Sequence, residues 1–272
     1  MKRILLLQHA DLPHPETLDF ACYIAKLLNS PVTGVFLEDD KRETLKRVAP
    51  EDIGGAALPG EWGGQQTAYA DPVVSHFSDA CIYRESAYAV HSNIYVSIDD
   101  LLKETQFADL LLLRPDLSET KHAYACPSKL AKFVLEHAAC PVMLVPRSFN
   151  TLDEIVFTYD GSKSSVFAIK QFTYLFSDIV SLKKVKLLLI NDFVKVPSMR
   201  EWLNAHYPEA EIIFLEGRTT EQLIRNLLPC NSSIVVMGAY SRAAFSMLMK
   251  KSNADPLMDM LENPIFIAHG VR

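Results

Sequence analysis

What most constrains this chain is a repeat: the same order of structural signals runs through both halves. In the second half "DEIVFTYD" reads as a short buried strand ending at Asp160. It is followed by "SKSSVFAIKQFTYLFSDIV", which places Val166, Ile169, Phe172, Thr173 and Phe176 on one helical face. "VKLLLIND" is a second strand, and Ser198 with Glu201 in "SMREWLNAHY" forms a capping-box pattern that opens a helix. Then come the strand "AEIIFLEG", stopped at Gly217, the helix "TTEQLIRNLLPCNSS" and the strand "IVVMG". A short helix, "PLMDMLEN", precedes the last strand, "PIFIAH". The first half begins likewise with "RILLLQH", "PETLDFACYIAKLLNS" and "PVTGVFLED", and continues with a helix capped by Ser97 in "SIDDLLKETQFA". It closes with "DLLLLR" and the helix and strand of "SKLAKFVLEHAACPVMLVPR". Arg114 stands 27 positions before Pro141, and Gly238 stands 26 before Pro264.

Strands that alternate with helices need crossover connections, which make them parallel and put helices on both faces of the sheet. The expected architecture is therefore α/β, in two equivalent modules spanning residues 1–147 and 152–272, with the boundary in "PRSFNTLDE". The halves differ at residues 50–72, "PEDIGGAALPGEWGGQQTAYADP", which hold five of the ten glycines and offer poor helix and strand prospects. This segment reads as a surface excursion, with a lid over a ligand, anchored by Trp62, as the alternative.

Apolar residues make up 49% of the chain and charged ones 22%, enough for a substantial core. A formal charge of −6 argues against a nucleic-acid partner, which calls for a basic face. No apolar run reaches the length of a membrane span, and "MKRILLLQHADLPHPE" reads as a first buried strand rather than a leader. Cys22, Cys81, Cys126, Cys140 and Cys230 are scattered without a CxxC pair, the pattern of reduced thiols in a cytoplasmic protein. The histidines form no HxxxH cluster, so no metal is expected, and Ser162 in "DGSKSS" lacks the setting of a hydrolase nucleophile and reads as a helix cap.

The strand ending "TYDGS", the closing "LEHAACPVMLVP" and "MLENPIFIAHG", and the glycine after "IVVM" together resemble the universal stress protein family, in a form with two domains fused in one chain. The resemblance implies two tandem flavodoxin-like or adenine-nucleotide α-hydrolase-like domains, each with a five-stranded parallel sheet. It also implies that they pair through their last strands, "PVMLVPR" and "PIFIAHG", as an internal pseudo-dimer; a homodimer is open. Nucleotide-binding members carry Gly, any two, Gly, any nine, Gly, then Ser or Thr, and an aspartate at the end of the first strand that meets adenine. Here that pattern falls on Gly238, Ser241, Lys251 and Ser252, with Asp160 in the aspartate's place. These five residues are the candidate nucleotide site, with ATP or AMP as the implied ligand.

Two glycines of the pattern are replaced. Glycine lets the backbone take positive φ and bring its N–H groups against phosphate. A left-handed Lys251 would cost about 1–2 kcal/mol, which its ammonium could offset by meeting a phosphate. Asp255 before Pro256 reads as an N-cap and first helical residue, placing a carboxylate where a phosphate would dock. The balance points to a closed loop and to no cofactor. In the first half His9, or its neighbour Gln8 or Ala10, takes the aspartate's place, Arg114 replaces the first glycine and Pro115 removes a donor, so that half is read as structural. The sequence-level expectation is a cytoplasmic, non-catalytic stress-response module, the alternative being one live ATP or AMP site in the second half with at most slow hydrolysis.

Overall fold

The computed structural model describes residues 2–9, 14–37, 71–117, 127–148, 151–180, 183–190, 196–215, 226, 232–238 and 263–268. The first half contributes β1 (Ile4–His9), α1 (Pro15–Leu27), β2 (Val32–Leu37), α2 (Pro72–Tyr83), β3 (Tyr88–Val96), α3 (Ile98–Thr105), β4 (Leu110–Leu113), α4 (Lys129–His137) and β5 (Val142–Leu144). The second contributes β6 (Glu154–Tyr159), α5 (Lys163–Leu175), α6 (Ser177–Val180), β7 (Lys184–Ile190), α7 (Val196–His206), β8 (Glu211–Leu215), β9 (Ser233–Gly238) and β10 (Ile265–Ala268).

The ten described strands form one sheet in the order β3-β2-β1-β4-β5-β10-β9-β6-β7-β8. Each half is a five-stranded parallel set with the same internal order, and the fold is α/β as expected. The sets meet at β5 and β10, which pair antiparallel with Met143 opposite Phe266. A strand walled in by sheet on both edges and helices on both faces reads as an unbroken apolar run. β4 is such a strand: Leu110 and Leu112 enter one core cluster, Leu111 and Leu113 the other. The first cluster lies under α1, α2, α5 and α7, and the second under α3 and α4. Phe266 of β10 packs edge-on against Phe172 of α5, with centroids 5.2 Å apart.

The helix starts follow the side chains that cap them. Ser97, Ser128 and Ser162 each accept a hydrogen bond from the backbone N–H of the third helical residue, satisfying one of the donors a helix leaves open. Four sequence readings are corrected or extended. α7 begins at Val196, so Ser198 lies inside the first turn instead of capping it. The helix read through residues 162–180 breaks at Phe176, between α5 and α6. Asp71 and Pro72, assigned to the long loop, are instead the N-cap and first residue of α2, with Asp71 accepting from the Val73 N–H at 2.9 Å. α2 and β3 themselves were not read from the sequence. Residues 50–70, with Trp62, and the readings "TTEQLIRNLLPCNSS" (apart from Asn226, Ser232 and Ser233) and "PLMDMLE" lie outside the described residues.

Candidate functional site

Parallel α/β sheets present ligands at the carboxyl ends of their strands, where β6 and β9 part. β6 ends at Tyr159, and the chain turns into α5 through Asp160, Gly161 and Ser162. The Asp160 carboxylate accepts the Ser162 N–H at 3.1 Å, closing an Asx turn. Gly161 takes φ 78°, a conformation that a side chain would strain. Ser162 then caps α5, its Oγ accepting from the Ser165 N–H at 3.2 Å and lying 3.1 Å from Ser164 Oγ.

Gly238, the last residue of β9, meets this same turn. A Cβ added there would lie 2.4 Å from the Ser164 carbonyl carbon and 2.5 Å from the Ser165 nitrogen. The glycine therefore lets the first turn of α5 close onto the end of the strand. The structure brings two of the five candidate residues, Asp160 and Gly238, to one place, each with a structural task in hand. Ser241, Lys251 and Ser252, with Asp255 and Pro256, lie outside the described residues. The sequence reading missed Gly161 and Ser164; the Asp-Gly-Ser turn signature was available to find the first.

The strand registers make Arg114 the counterpart of Gly238, and His9 that of Asp160. A guanidinium therefore enters where the second half has no side chain. Arg114 pairs with Asp116 in bidentate fashion, Nε to Oδ1 at 2.8 Å and Nη2 to Oδ2 at 2.6 Å. Its Nη1 reaches Thr17 Oγ1 at 3.5 Å, and Thr17 holds the same third position in α1 that Ser165 holds in α5. Burial works to raise the Asp116 carboxyl, but the hydrogen bonds and charge of Arg114, with Arg147 behind them, hold it below its usual range. His14, the N-cap of α1, is shifted down, first by burial and then by the charge of Arg114. The helix N-terminus that would receive an anion here already faces an internal ion pair.

The second half has a cavity of about 610 Å³ between α5 and α7, bordered by Tyr159 at the end of β6. Tyr159, Val166, Ile169, Met199 and Trp202 give it apolar and aromatic walls, and Lys170 adds a cation. That size and mixture suit a small organic ligand. A second cavity, about 550 Å³, opens at the opposite ends of β6 and β7. Its Lys186 and Glu154 pair with each other at 2.7 Å, and Ser233 donates to Glu154 at 3.0 Å. Among the described residues no group of three or more His, Cys, Asp or Glu side chains could hold a metal ion, and no helix is long and apolar enough to cross a membrane.

No protein-family model matches the chain, and no curated protein matches it. Its likeness is to solved structures. A universal stress protein from Archaeoglobus fulgidus superposes with a TM-score of 0.66 at 13% identity, covering 97% of this chain and 98% of its own. A Pseudomonas aeruginosa protein assigned to the same family gives 0.58 at 14% identity, covering 98% and 93%. The cytoplasmic domain of a prokaryotic cation chloride cotransporter gives 0.50 at 11% identity, covering 98% and 94%. The chain thus has the fold of universal stress proteins along nearly its full length.

Proposed function

We propose that this chain, built on the universal stress protein fold, is a non-catalytic stress-response binding module whose ligand cleft lies in its second half alone. The observation that carries the reading is the asymmetry at the two equivalent strand ends. At β4 the Arg114–Asp116 pair occupies the mouth of α1, while at β9 the counterpart is Gly238, and a cavity of about 610 Å³ lies between α5 and α7 of the same half. The first half, residues 1–147, then serves as the structural partner of the second, residues 152–272, through β5 and β10.

The ligand class that fits best is a planar heterocycle carrying negative charge, and an adenine nucleotide such as ATP or AMP is the first to test. Tyr159 and Trp202 offer aromatic surface and Lys170 a cation. Calorimetric titration of the full chain with ATP and AMP, with and without Mg²⁺, tests this. The expected result is one site per chain, weakened at least tenfold by Trp202→Ala and unchanged by Lys132→Ala on α4. Two sites per chain, or one abolished by Arg114→Ala, would place binding in the first half and overturn the reading. No heat at millimolar nucleotide rejects the nucleotide, and steady turnover rejects the non-catalytic assignment.

A further inference from the structure

Cys22 on α1 and Cys81 on α2 stand 59 positions apart in the sequence, yet their sulfurs lie 3.9 Å from one another in the core. The two residues are 2% and 0% exposed. A seam that needed only apolar volume could have been filled by alanine or valine on either helix; here it holds two thiols facing each other. Arg84, three residues beyond Cys81, folds back over the seam. Its Nε pairs with Asp19 of α1, its Nη1 donates to the Ala80 carbonyl at 2.9 Å, and its Nη2 reaches the Pro15 carbonyl at 3.5 Å. A fixed cation thus sits at the seam that contains both sulfurs.

We propose that Cys22 and Cys81 are a redox modification site: a hydroperoxide converts them to a disulfide that clamps α1 to α2. Bond formation closes the sulfurs from 3.9 Å to about 2 Å. The two thiols are also unequal. The hydrogen bond between the two sulfurs draws Cys22 below the usual thiol range against the opposing effect of burial, with Arg84 assisting. Cys81 is pushed up, chiefly by the same hydrogen bond and by burial. Cys22, 2% exposed against 0% for Cys81, is assigned as the attacking sulfur and Cys81 as the resolving one. The Cys22 thiolate attacks one oxygen of hydrogen peroxide, the O–O bond breaks, and the departing hydroxide takes a proton, leaving a Cys22 sulfenic acid and one water. The Cys81 sulfur then displaces the sulfenic hydroxyl, which leaves as a second water carrying the Cys81 proton. The balance is two thiols and one peroxide giving one disulfide and two waters. A dithiol reductant reverses it by exchange.

This inference does not rest on the ligand reading. Its test is thiol mapping of the full chain: reduce it, remove the reductant, expose it to hydrogen peroxide, unfold it in denaturant, alkylate, and identify linked peptides by mass spectrometry. The expected product is an intramolecular Cys22–Cys81 link, with two of the five thiols protected and both recovered by dithiothreitol. Because the bond closes a long loop, the oxidised chain should melt several degrees higher than the reduced one. In Cys81→Ser, the Cys22 sulfenic acid should persist and be trapped by dimedone. Should that variant not fold, the wild-type peptide map alone decides the matter. Both cysteines remaining alkylatable after peroxide, a link to any other cysteine, or sulfinic acid at Cys22 without a link would each overturn the proposal. An oxidised chain that melts no higher than the reduced one would overturn the clamp.

Discussion

Replacing Gly238 with alanine asks whether the glycine is there for packing. The new Cβ would meet the Ser164 carbonyl carbon at 2.4 Å, where ordinary contact begins at 3.4 Å, so the first turn of α5 must retreat by about 1 Å. The obstacle is helix backbone, which has no rotamer to escape into, and overpacking of this kind costs about 1–3 kcal/mol. The retreat also pulls the Ser165 N–H from its bond to Ser162 Oγ, a cap worth about 1 kcal/mol. Together these suggest a loss of about 3 kcal/mol, or roughly 6–12 °C in Tm for a chain of this size. Urea denaturation followed by far-UV circular dichroism, with a thermal melt alongside, measures it. A variant that melts within about 2 °C of the wild type would refute the packing argument. If that same variant lost ligand affinity while keeping its stability, Gly238 would belong to the ligand alone.

Further predictions concern separate features. Glu85 closes α2 at φ 49°, and glycine accepts that conformation without strain, so Glu85→Gly should raise stability by about 0.5–1 kcal/mol in urea melts. Arg114→Ala leaves the half-buried Asp116 without its bidentate partner and should cost about 1–3 kcal/mol near neutral pH. Because the folded Asp116 carboxyl is held low, the pair's contribution is present above the unfolded value near 4 and is lost as pH falls through the folded one. The gap between wild type and Arg114→Ala should therefore narrow below about pH 4. Gln8 is buried and neither amide atom has a hydrogen-bond partner among the described residues, so Gln8→Met should hold or raise Tm; a fall of several degrees would show that the amide is satisfied. Cys140, pushed up to about 12 by burial, should resist iodoacetamide in the folded chain at pH 8 and react on unfolding.

How much was legible differs from element to element. β1, β4, β6 and β9 are apolar runs bounded by turn signals, and α1 and α5 carry apolar faces at helical spacing, so local periodicity identified them. α2 and β3 escaped because their patterns are mixed. The buried face of α2 includes Ser78 as well as Val73, Val74, Phe77 and Cys81. β3 is an edge strand whose pairing with β2 shifts register between Gly34 and Phe36, which breaks the alternation a sequence reader counts on. At the site, spacing found Asp160 and Gly238 as candidate ligand contacts, yet the tasks visible in the structure are an Asx turn and the close approach of helix to strand.

By itself the sequence determined the alternation of strands and helices, the two-fold repeat and therefore the α/β class, because these depend on side-chain patterns within a few residues of one another. It also located the strand ends where the halves diverge, Arg114 against Gly238. Only the tertiary structure decided what those differences do. That Arg114 turns onto Asp116 and Thr17, that Gly238 abuts Ser164, and that Cys22 faces Cys81 are contacts across 2, 97, 74 and 59 positions. All but the first are long-range, and even Arg114–Asp116 takes its meaning from the helix mouth it fills. Burial, exclusion of water and steric fit depend on how the helices settle against the sheet, and that packing sets the partner each side chain meets.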